Sequence, residues 1–137
     1  MSTQVPVLPE IRQFLDDYRD LFNALDGKGI AQRYAVPSAI VDERKFTYWD
    51  QYQAIEDNML ALCNVYADNG YLQADYTLRH YIQQGADFAV VDVLWVIARR
   101  QGLPAWEFGT GYSLQRQQGQ WKIVLCTAYS EKLPGGS

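Results

Sequence analysis

Residues 72–83, LQADYTLRHYIQ, followed after a short turn by 88–99, FAVVDVLWVIAR, decide how this chain folds. In the first stretch Leu72, Ala74, Tyr76, Leu78, His80 and Ile82 alternate with Gln73, Asp75, Thr77, Arg79, Tyr81 and Gln83. That period of two is the signature of a long β-strand with one apolar face. The second stretch is almost continuously apolar and predicts a strand covered on both faces. Gln84-Gly85-Ala86 turns the chain between them. Further along, Gln101-Gly102-Leu103-Pro104 turns into a third strand, Trp106 to Arg116, in which Gly109 and Gly111 mark a bend or bulge. The loop Gln117-Gln118-Gly119-Gln120 leads to a last strand, Trp121 to Tyr129. Four long strands joined by short turns form an antiparallel meander.

The period differs upstream of residue 70. Pro9 can open a helix, where its missing N–H costs nothing. Ile11, Phe14, Leu15, Tyr18, Leu21, Phe22 and Leu25 then follow the i, i+3, i+4, i+7 pattern of an amphipathic helix, with Arg12, Asp16, Asp17, Arg19 and Asp20 on the other face. Asp26-Gly27-Lys28-Gly29 ends it by supplying the left-handed geometry of a helix terminus. A short second helix is expected over 28–35, with Ile30 and Tyr34 inward and Pro37 as its stop, then a short strand over 39–42. Asp50 with Gln53 resembles a capping box for a third helix carrying Ile55, Met59, Leu62 and Tyr66, which Asp68-Asn69-Gly70 breaks. Three helices segregated from an antiparallel sheet define an α+β domain. The expected organisation is a leader over 1–9, one domain over 10–131 and a flexible tail over 132–137.

Composition narrows the function classes. The 137 residues include 48% hydrophobic and 20% charged side chains, enough apolar matter for a packed core. A net charge of −4 and no basic cluster beyond Arg99–Arg100 argue against nucleic acid. No basic amphipathic helix suggests a membrane surface, and the longest apolar run, Phe88 to Ala98, is too short to span and is interrupted by Asp92. The opening MSTQVPVLPE lacks the charged and apolar regions of a signal peptide, so a cytoplasmic location is expected. Cys63 and Cys126 are too few and too far apart for a disulfide scaffold or zinc site, and read as small buried hydrophobes. No phosphate loop, serine elbow or metal-spaced His/Cys set occurs, so no cofactor or metal is expected.

This order of elements, with Gly-Ile-Ala-Gln-Arg-Tyr-Ala at 29–35 and Tyr-Ser-Leu-Gln-Arg…Gly-Gln-Trp-Lys-Ile at 112–123, resembles the nuclear transport factor 2-like (SnoaL-like) superfamily over about residues 10 to 131. The resemblance implies a cone-shaped fold whose strongly curved sheet wraps the helices around an interior pocket, often dimerised through the sheet. The first third is similar to ketosteroid isomerase: Asp-Tyr-Arg-Asp-Leu at 17–21, Arg-Tyr-Ala at 33–35 and Ile-Val-Asp at 40–42 match that enzyme's spacing. It places Tyr18 on the oxyanion-hole tyrosine and Asp42 on the general-base aspartate. The second oxyanion donor falls near Gly111, which has no side chain to donate.

Four residues are candidates for chemistry. Asp42, if it faces an apolar cavity, has its pKa raised and can take a proton near neutral pH; beside Glu43, Arg44 and Lys45 it can equally be a solvated turn carboxylate. Tyr18 lies on an apolar helix stripe and can donate to a carbonyl or enolate, or simply to a core partner. His80, the single histidine, shares a strand face with Leu78 and Ile82, where it is either an acid–base group or a satisfied structural residue. Asp92 interrupts an apolar strand and therefore needs a partner, with His80 or Arg79 at hand. Tyr34, Tyr76, Trp106 and Tyr112 are candidates to line an aromatic pocket for a flat apolar ligand. The expected function is binding of an apolar small molecule, with cofactor-free isomerisation, dehydration or cyclisation of a carbonyl compound by proton transfer. The alternative is a non-catalytic dimerising or ligand-sensing module that uses the sheet surface.

Overall fold

A computed structural model describes residues 6–130. The first five residues of the expected leader and the expected tail at 132–137 lie outside the described residues. Helix α1 runs Pro9–Asn23 with its proline in the first turn, and buries Ile11, Phe14, Leu15 and Tyr18. The left-handed residue after it is Leu25 (φ 50°) rather than a glycine. Asp26 instead caps α2 (Gly27–Ala31), its carboxylate accepting from the Gly29 N–H at 3.0 Å. Gly27 is needed for close approach: a Cβ there would sit 2.9 Å from the Leu60 backbone.

Helix α2 ends four residues earlier than the sequence pattern suggests, because Tyr34 already begins strand β1 (Tyr34–Val41). Pro37 therefore sits within a strand, after a cis Val36–Pro37 bond, instead of stopping a helix. It is tolerated because β1 slips its register against its neighbour between Tyr34 and Ala39, where the ladder does not ask proline for an N–H. A strand the sequence does not announce, β2 (Phe46–Trp49), pairs back on β1 across the turn at 42–45. It is only four residues long, and Phe-Thr-Tyr-Trp shows no apolar–polar alternation to read. Helix α3 (Tyr52–Asp68) turns Ile55, Met59 and Cys63 inward. The expected Asp50–Gln53 capping box does not form. Gln51 is the N-cap, one residue later than that box requires, and the Gln53 amide donates to Glu56 and Asp57.

The four long strands are β3 (Tyr71–Gln84), β4 (Phe88–Arg99), β5 (Trp106–Gln117) and β6 (Gln120–Tyr129). The β5–β6 turn is the pair Gln118-Gly119, both at positive φ, as a tight two-residue hairpin demands. The sheet order is β2-β1-β6-β5-β4-β3. The meander is antiparallel as expected, but β1 joins β6 in parallel, so the sheet is mixed rather than wholly antiparallel.

Two faces result. On β4, Ala89, Val91, Val93, Trp95 and Ile97 are buried toward the helices. Phe88, Val90, Asp92, Leu94 and Val96 point the other way and are partly or fully exposed, so β4 is covered on one face rather than two. Strand β3 begins with Ala74, Tyr76 and Leu78 inward. Its register then slips between Leu78 and His80, and Tyr81 becomes the buried residue. One extra residue reverses every side chain beyond it.

Candidate functional site

Between α1, α3 and the inner face of the sheet lies a cavity of about 230 Å³. Its body is apolar: Phe22, Met59, Leu62, Trp95 and Ile97 line it. Its inner end is hydroxylic. Tyr18 comes from the middle of the α1 stripe and Tyr34 from the first residue of β1, and their hydroxyl oxygens are 2.9 Å apart. Tyr112 on β5 lies opposite Cys126 on β6 in the ladder, and both point inward with Thr110. The Trp95 indole Nε1–H donates to the Tyr112 hydroxyl at 3.0 Å. The rings interlock, with Tyr112 edge-on to Tyr18 at 5.5 Å between centroids. The mouth is at Asp42, Phe108 and Ala128, which also line a shallow surface concavity with Glu43, Arg44 and Glu107.

Burial dominates the electrostatics of the inner end. It pushes the Tyr18, Tyr34 and Tyr112 hydroxyls well above the ordinary tyrosine value, and their mutual repulsion as phenolates pushes them the same way. The Cys126 thiol is raised to about 12 by burial. All four groups are therefore neutral at physiological pH and serve as hydrogen-bonding groups rather than bases.

Asp42 behaves in the opposite way. It is exposed, and its Oδ1 accepts from the Arg44 N–H at 2.8 Å and the Lys45 N–H at 3.1 Å. These bonds hold its pKa below the usual carboxylate value, instead of the raised value expected of a carboxylate enclosed by apolar walls. It lines the cavity mouth as an ionised turn carboxylate.

Tyr18, Asp42, Tyr34 and Tyr112 thus share one cavity. His80 and Asp92 do not join them. The β3 bulge carries His80 to the outer face, where its side chain is 74% exposed, and Asp92 points outward from β4. There Asp92 meets the expected partners, His80 Nδ1 at 3.3 Å and Arg79 at 3.6 Å. It also accepts from the Tyr129 hydroxyl at 2.5 Å, while that hydroxyl accepts from Arg79 at 2.9 Å. Tyr76 and Trp106 also stand outside the cavity. The Tyr76 hydroxyl donates to Asp16 at 2.6 Å, and Trp106 stacks under the Arg99 guanidinium at 4.2 Å. Gly111 faces outward, so the β5 residues that reach the cavity are its neighbours Thr110 and Tyr112, with Phe108 at the mouth. Cys126 at the hydroxylic end is not singled out by the sequence; strand parity with Ala128 is the signal that places it there. Among the described residues no group of three or more His, Cys, Asp or Glu side chains could hold a metal ion. No helix among them is long and apolar enough to cross a membrane.

Helices closed over a curved sheet around a pocket define an NTF2-like α+β cone. Residues 9–131 match the family described as NTF2-like protein (DUF6841), and the chain belongs to that family. No curated protein matches it. Solved structures share the fold at low identity. An NTF-2 like protein of unknown function from Shewanella oneidensis MR-1 is 15% identical with a TM-score of 0.73, over 88% of this chain and 97% of that one. A ketosteroid isomerase-like protein from Erwinia carotovora atroseptica SCRI1043 is 14% identical with a TM-score of 0.66, over 92% and 97%. A putative calcium/calmodulin dependent protein kinase II association domain from Xanthomonas campestris is 13% identical with a TM-score of 0.68, over 95% and 96%. These likenesses speak to fold alone.

Proposed function

We propose that the cavity binds a small, flat, apolar molecule whose polar oxygen faces the tyrosine end. The supporting observation is the pairing of an apolar body with buried hydroxyls at one end, the usual make-up of a small-molecule site. Since an apolar void of ~150 Å³ accepts benzene, about 230 Å³ suits roughly ten non-hydrogen atoms, one or two fused rings. Indanone and its hydrocarbon analogue indane are probes of that size. Calorimetric titration should give saturable binding that Ala128→Trp, at the mouth, abolishes while the far-UV spectrum is kept. Absence of saturable binding by both probes to the unmodified protein sinks the proposal.

Within the same proposal, Asp42 is the base of a proton transfer. The favouring observation is that an ionised carboxylate and the Tyr18 hydroxyl line one cavity. Asp42 would remove a proton from the carbon next to a ligand carbonyl, and a tyrosine hydroxyl would stabilise the enolate oxygen, as isomerisation, dehydration or cyclisation requires. Exchange of the indanone α-protons in heavy water, faster than buffer and abolished by Asp42→Asn, is the expected result. Exchange no faster than buffer leaves a binding protein without this chemistry.

A second reading rests on the outer sheet face. Phe88 and Val96 on β4 are 47% and 37% exposed, and Ile82 on β3, opposite Val90, is 56% exposed. Such a row on a sheet face favours a second copy of this chain, giving a homodimer through the sheet. Sedimentation should show a dimer that Val96→Lys dissociates, and a monomer at high concentration removes this reading.

A further inference from the structure

The hydroxyls at the inner end of the cavity are not equivalent, and counting protons separates them. An indole Nε1–H can only donate, so the Tyr112 oxygen must act as acceptor in its bond with Trp95. The Tyr112 proton is left over. Among the described residues no acceptor faces it, although the side chain is 3% exposed. A buried donor without an acceptor is costly, and this one belongs to a residue that lines the cavity. Tyr18 and Tyr34 differ. Their hydroxyls share one bond, so two protons compete for it and either oxygen can be the donor. With Tyr34 as the donor, Tyr18 donates to the cavity; with Tyr18 as the donor, it offers only lone pairs.

We infer that Tyr112 is the cavity's fixed hydrogen-bond donor and specificity-determining residue, and that it selects ligands carrying a carbonyl oxygen at this end. Tyr18 is the adaptable group beside it, able to meet either a donor or an acceptor. This rests on the binding proposal above and deepens it. Tyr112 also supplies a donor on β5, where the outward-facing Gly111 cannot.

The test compares indanone with indane, which lacks the carbonyl, on the whole chain. In Tyr112→Phe the preference for indanone over indane should fall about three- to tenfold, the worth of one hydrogen bond, with indane affinity little changed. In Tyr18→Phe the preference should fall less. The infrared carbonyl stretch of bound indanone should lie below its value in hydrocarbon solvent, and should move up in Tyr112→Phe but not in Tyr18→Phe. Should the orphaned indole N–H unfold Tyr112→Phe, the double variant Trp95→Phe/Tyr112→Phe removes both partners and carries the same expectation. An unchanged preference and an unchanged carbonyl stretch in the Tyr112 variants overturn the inference while leaving binding intact. Failure of indane and indanone alike to bind the unmodified protein overturns the binding proposal itself.

Discussion

The hydroxyl oxygens of Tyr18 and Tyr34 stand 2.9 Å apart, joining the first helix to the first strand inside the core. Removal of either hydroxyl breaks that one bond. Tyr34→Phe and Tyr18→Phe should therefore each cost about 1 kcal/mol. The double variant should lose less than the sum, because the two hydroxyls share one bond. Urea unfolding of the four proteins measures this, and strict additivity contradicts it.

Asp42 should titrate in the folded protein below the ordinary carboxylate value, because two backbone N–H groups bond to its charged form. A depressed folded-state pKa contributes stability above the unfolded pKa, and that contribution is lost as pH falls through the folded value. Asp42→Asn should thus destabilise at neutral pH and lose its effect in strong acid. Carbon-detected carboxylate titration gives the midpoint, and a midpoint above 4 contradicts the turn geometry described above.

Tyr129 lies flat on Gly109, where a Cβ would come within 2.2 Å of its ring. Gly109→Ala should swing the ring off the sheet and separate its hydroxyl from Asp92 and Arg79, at a cost of about 1–3 kcal/mol. In a Tyr129→Ala background the same substitution should cost far less. Equal costs in both backgrounds mean that strain at Gly109 is relieved elsewhere.

Cys126, with its thiol near 12, holds only roughly one part in ten thousand as thiolate at pH 8. It should resist iodoacetamide in the native protein and react on unfolding. Mass spectrometry of the labelled peptide decides, and rapid native labelling contradicts the raised value of the thiol.

The long elements were legible because their patterns are strong. The stripe through Ile11, Phe14, Leu15 and Tyr18 repeats over several turns, and the apolar run at 88–98 marks a strand, though its near-continuous apolarity hides which face is covered. What escaped were single-residue events. Pro37 reads as a helix stop, yet a register slip lets β1 absorb it. His80 shares parity with Leu78 in the sequence, yet the slip between them sends it to the opposite face. A bulge leaves no compositional mark, so parity beyond it is unreadable. The same holds for the cavity. Tyr18, Tyr34 and Tyr112 were visible as aromatic candidates, whereas Cys126 and the outward turn of Asp92 follow from strand register alone.

The central claim is that the space between α1 and the sheet is a ligand site. Crystallisation of the protein with indanone tests it most directly. The expected result is the probe inside the cavity, its carbonyl oxygen about 3 Å from a tyrosine hydroxyl and its rings against Trp95 and Met59. A cavity closed by repacked side chains, with the probe on the outer face or absent, would contradict it.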